Sequence, residues 1–67
     1  MHLGRVTAFD GTTGIGTVED DRGVGFLFHC LEIADGTRAI EPGTDVVFDV
    51  LSKLGAGEAV EIVKLHR

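Results

Sequence analysis

The chain has 67 residues, with 6 Lys and Arg against 11 Asp and Glu, for a formal charge of −5, and 43% of it is hydrophobic. That composition excludes a disordered chain, the length leaves room for one small core and no second lobe, and the acidic balance argues against non-specific adhesion to nucleic acid or anionic lipid. No apolar run approaches the roughly 18 residues a membrane-spanning helix needs, no signal-peptide pattern opens the chain, and a single Cys fits a reducing cytoplasm.

Ten glycines punctuate short apolar stretches, and 8 Val, 4 Ile and 6 Thr supply 18 β-branched residues. Turn residues at such short intervals predict an all-β barrel or sandwich. No stretch carries an apolar stripe of helical period. In chain order, a first strand runs from about Met1 to Phe9 and ends at Asp10-Gly11. A second spans Gly14 to Glu19 and closes at the charged tip Asp20-Asp21-Arg22-Gly23. The third, Val24 to Cys30, contains Phe26, Leu27 and Phe28. A longer connection from Leu31 to Ile40 leads to a turn at Glu41-Pro42-Gly43, where Pro presets φ and Gly is free to take φ > 0. The fourth strand covers Asp45 to Leu51 and the fifth Glu58 to Leu65, joined at Gly55-Ala56-Gly57. Three strands in a meander, a long link and a hairpin make one domain over 1–67: a small five-stranded antiparallel Greek-key barrel of the OB-fold type, whose closure removes exposed edges.

Alternation assigns faces. Val46, Phe48 and Val50 share one side, taken as core, with Asp45, Val47 and Asp49 on the other. Phe26 and Phe28 point inward, which leaves Leu27 and His29 outside.

Other site chemistries find little support. Gly14-Ile15-Gly16 with Gly23 and Gly25 lacks the following helix that a phosphate-cradling loop requires. His29 and Cys30 are adjacent on a strand, so they face opposite ways unless a bulge intervenes, and no third residue orients them. His2, His29, His66 and Cys30 match no metal-ligand spacing. No catalytic residue, metal or cofactor is therefore expected, and the protein reads as a non-enzyme. Glu19-Asp20-Asp21 reads as a solvated hairpin tip, or as a docking patch for a basic partner or an element repelling nucleic acid.

Gly4-Arg5-Val6, Phe9-Asp10, Gly14-Ile15-Gly16-Thr17-Val18, Phe26-Leu27-Phe28-His29, Glu41-Pro42-Gly43 with Val46-Val47-Phe48, and Ala59-Val60-Glu61-Ile62 together resemble the cold-shock domain family, in a diverged bacterial-type form. The match runs in nearly unbroken register from Met1 to about Val63. The resemblance implies an OB-type barrel that binds single-stranded RNA or DNA by stacking bases on exposed rings of the second and third strands, in RNA chaperoning or gene regulation. Base stacking on rings contributes about 1–3 kcal/mol per base and tolerates any sequence. Here Ala8, Ile15, Thr17, Leu27 and Cys30 stand where such families carry rings, and Thr7 where a basic residue is expected. The implied contacts are Arg5, Phe9, His29 and Arg38, over an apolar floor of Ile15, Thr17 and Leu27. Binding is expected to be weak. A different class of function remains open, in which an aliphatic patch of Ile15, Leu27 and Val47 meets a protein partner or a second copy.

Overall fold

The computed structural model describes residues 1–53 and 56–65. Five strands, β1 (His2–Asp10), β2 (Ile15–Asp20), β3 (Gly25–His29), β4 (Asp45–Lys53) and β5 (Ala56–Lys64), close a barrel in the order β1-β2-β3-β5-β4. The all-β Greek-key barrel is as expected, with one refinement. Every ladder is antiparallel except the seam between β3 and β5, which is parallel at Leu27 and Glu58 and continues as a bridge from Ile33 to Ile62. No helix among the described residues is long and apolar enough to cross a membrane.

Val6, Val18, Phe28, Ile33, Ile40, Val46, Phe48, Ala59 and Ile62 fill the interior with Cys30, and Phe9, Phe26 and Val50 pack against them. The inward set Val46, Phe48 and Val50 agrees with the alternation. Phe28 is fully enclosed, whereas Phe26 is half-buried and its ring lies 5.8 Å from Phe48.

Turn chemistry sets the strand ends. Asp10 begins the first turn by accepting the Thr12 N–H on Oδ1 at 2.8 Å, and its carbonyl takes the Gly14 N–H. Pro42 and Gly43 occupy the turn closed by Thr44 N–H donating to the Glu41 carbonyl, with Gly43 at φ 95°. The third strand stops one residue earlier than its apolar run, because Cys30 opens a 3-10 turn, Cys30–Glu32. Ala56 and Gly57, expected in the β4–β5 turn, are already strand residues, and Gly55 lies outside the described residues, as does His66.

Two irregularities matter for what the surface presents. In β1 the register passes from Val6 opposite Val18 to Ala8 opposite Thr17, so Thr7 is an extra, bulged residue. An extra residue reverses the in–out sequence beyond it. In β5 the register steps from Val63 opposite Val47 to Val60 opposite Asp49, again with one residue too many. Glu61 lies in that step with φ 51°, the left-handed region where glycine is usual.

Candidate nucleic-acid interface

The outward face of β1, β2 and β3 is built in rows by the ladder register. Ala8, Thr17 and Leu27 form one row, and Asp10, Ile15 and His29 the next. A third row is Arg5, Glu19 and Gly25. Beyond Leu27 the parallel seam adds Glu58, and beyond that Leu51. Leu27 is 58% exposed and Ile15 42%. Between the rows lies a shallow hollow of about 220 Å³ lined by Ala8, Asp10, Ile15, Thr17 and Leu27, with Phe9 and Gly16 at its base.

Ile15, Thr17, Leu27 and His29 are thus brought together, as expected. The Thr17 hydroxyl is 2.9 Å from that of the bulged Thr7, which ties the bulge to the face. His29 is half-buried at the end of β3, where its Nδ1 accepts the Leu31 N–H at 3.2 Å and caps the 3-10 turn. An accepting Nδ1 leaves the neutral ring's proton on Nε2 as a donor.

Phe9 is half-buried, packed against the core while it also lines the hollow. Because Thr7 is bulged, Phe9 falls opposite Gly16 and turns toward the interior, stacked on Phe28 with centroids 6.1 Å apart and planes 14° from parallel. Gly16 permits this, since a Cβ there would come within 2.5 Å of the Phe28 ring and 2.8 Å of the Ala8 carbonyl. Arg5 is on the face, but its Nε donates to Asp45 Oδ1 at 3.0 Å and Glu19 stands opposite it. Arg38 is exposed in the link between the 3-10 turn and β4 and does not line the hollow. Val47 does not join Ile15 and Leu27: it pairs with Leu3 and Val63 on another side of the barrel.

The tip at Glu19-Asp20-Asp21 also differs from a merely solvated turn. The Asp20 side chain is only 1% exposed. Its Oδ1 accepts N–H groups from Arg22 and Val24, both at 2.9 Å, and its Oδ2 accepts the Arg22 guanidinium at 3.2 Å. The Val24 N–H, with the contacts from Arg22, holds the Asp20 carboxyl below its ordinary range despite burial. In the long link, the Thr37 hydroxyl and N–H, with Lys64, lower the Asp35 carboxyl to about 2. His29 and Cys30 lie closer than strand alternation allows, with Sγ 3.8 Å from Nδ1, because the chain leaves the strand between them.

Asp10 and Glu58 are members of the face that residue-by-residue reading missed, and Glu58 is brought there by the parallel seam, which has no local signature.

Architecture and surface define a closed OB-type barrel with one open, largely aliphatic sheet face. No family model matches the chain, and no curated protein matches it. The structure of Drosophila Unr CSD456 superposes with a TM-score of 0.80 at 24% identity, over 97% of this chain and 26% of that one. The chain thus spans about a quarter of the length of that protein chain, and it has the fold of a cold-shock domain.

Proposed function

We propose that the β1–β2–β3 face binds single-stranded RNA or DNA weakly, in an RNA-chaperone or gene-regulatory role without catalysis, in a reducing cytoplasm. The observation that carries this reading is the convergence of Ile15, Thr17 and Leu27 around a shallow hollow, with His29 paired to Ile15 on the same face. Aliphatic side chains receive the flat faces of bases less favourably than rings do, at a loss of up to about 1–3 kcal/mol per base. His29 supplies one N–H donor for a base edge or phosphate. The cold-shock fold of the barrel supports the same assignment.

Titration of a fluorescent oligothymidine at about 50 mM salt is the test. Saturable binding at high micromolar protein, weakened by Leu27→Asp, is the expected result. Absence of binding to pyrimidine-rich and mixed strands under those conditions overturns the proposal.

A second reading, contact with a protein through the same face, is favoured by its charge. Asp10, Glu19 and Glu58 accompany the exposed Ile15 and Leu27, while Arg5 is paired with Asp45. Specific capture of a protein that Leu27→Asp abolishes, with no oligonucleotide binding, would select this reading.

A further inference from the structure

A second concave surface lies away from that face. We propose that it docks a basic, extended segment of another protein, with an aliphatic side chain seated between lysines or arginines. The surface is a groove of about 540 Å³ where the 3-10 turn and its following link cross β4 and β5. Its apolar wall is Met1, Leu31, Val47 and Val63, of which Leu31 is 66% exposed and Val63 44%. Glu32, Asp49 and Glu61 also line it, and among the described residues no basic side chain does.

Local structure holds these carboxylates in place. The β5 bulge puts Glu61 at φ 51°, and its N–H donates to Glu32 Oε1 at 3.3 Å, joining β5 to the 3-10 turn. Asp49 Oδ1 lies 3.3 Å from the Met1 amino group, so this rim already receives a cation.

The charge selects the occupant. An apolar groove alone would accept any aliphatic side chain, but the carboxylates around it, of which Asp49 is already met by the Met1 amino group and Glu32 and Glu61 are not in an ion pair among the described residues, repel phosphates and acidic peptides alike. A second copy of a chain with net charge −5 meets the same repulsion. A segment alternating cations with leucine or methionine satisfies both floor and rim. Such a site leaves the β1–β2–β3 face open, so the proposal stands independently of nucleic-acid binding there.

The test is a nuclear magnetic resonance titration of the full chain with a capped peptide alternating lysine and leucine, and with its glutamate-for-lysine counterpart. The lysine peptide is expected to shift the amides of Leu31, Ala34, Val47 and Val63 while Ile15, Thr17 and Leu27 stay still. The glutamate peptide shifts none. The triple variant Glu32→Gln, Asp49→Asn, Glu61→Asn is expected to weaken the lysine peptide by about fivefold or more at low salt. Leu31→Ser, which alters an exposed side chain, does likewise and serves if the triple variant fails to fold. Equal shifts with the glutamate peptide, shifts centred on Leu27, or undiminished affinity in the folded variants overturn the proposal. So does sedimentation showing that a second copy covers the groove, or an oligonucleotide that shifts these same amides.

Discussion

Phe9 stacks on Phe28 directly across Gly16, with ring centroids 6.1 Å apart. The Phe9 ring is therefore half-buried, packed on the core while it also lines the exposed hollow. Phe9→Ala should lower stability by about 1–3 kcal/mol, from lost apolar burial and the ring pair. Denaturant unfolding followed by circular dichroism measures the loss. Oligonucleotide affinity of the folded variant should fall by less than it does in Leu27→Asp.

The same contact makes Gly16 a packing requirement. A methyl group there meets the Phe28 ring and the Ala8 carbonyl. Gly16→Ala should cost about 1–3 kcal/mol through forced displacement of the ring. Gly11→Ala is the control: a Cβ at Gly11 meets nothing within 4 Å, and stability should stay within about 0.5 kcal/mol of the parent.

Restoring a ring on the open side should do the opposite. Leu27 is 58% exposed in the centre of the face, so Leu27→Phe adds a stacking surface without disturbing the core. One ring contributes about 1–3 kcal/mol of stacking, equivalent to about 5- to 150-fold in affinity for oligothymidine. Fluorescence polarisation at fixed salt reads the gain, and an unchanged affinity would show that strands do not cross Leu27.

Charge on the face should matter as a screened term. Glu19 stands opposite Arg5, whose guanidinium already serves Asp45. Glu19→Gln should raise oligonucleotide affinity about two- to threefold at about 50 mM salt, and the gain should vanish near 0.5 M. A gain that persists at high salt would contradict an electrostatic cause.

Acid should destabilise the barrel in a defined window. Asp20 and Asp35 both have folded-state carboxyls below the ordinary 3.8, Asp35 at about 2. A depressed folded pKa adds stability that is fully present above the unfolded value and is lost as pH falls through the folded one. Stability should therefore decline between about pH 4 and 2. Asp35→Asn, which cannot be protonated there, should flatten part of that decline in thermal unfolding measured across the range.

Local patterns in the chain were enough to place five strands, the turns at Asp10 and at Pro42-Gly43, and the inward set Val46, Phe48 and Phe28. These features depend on period-2 alternation and on residues with restricted φ, which act over a few positions. The outward placement of Leu27 and His29 followed from the same alternation and that of Ile15 and Thr17 from the family resemblance, and the β2–β3 ladder, which contains no bulge, pairs them.

What remained hidden depends on partners distant in the chain. The bulge at Thr7 appears only in the pairing with β2, where its hydroxyl meets that of Thr17, and beyond it Phe9 leans on Phe28. The acid-rimmed groove exists because the Leu31–Gly36 link crosses β4 and β5 beside a second bulge. The opening charge of −5 thus has a location that composition could not supply: part of it faces Arg5, Arg22 and Lys64 in ion pairs, and part surrounds an apolar groove. Alternation is a property of the chain, whereas register and charge placement are properties of the closed barrel.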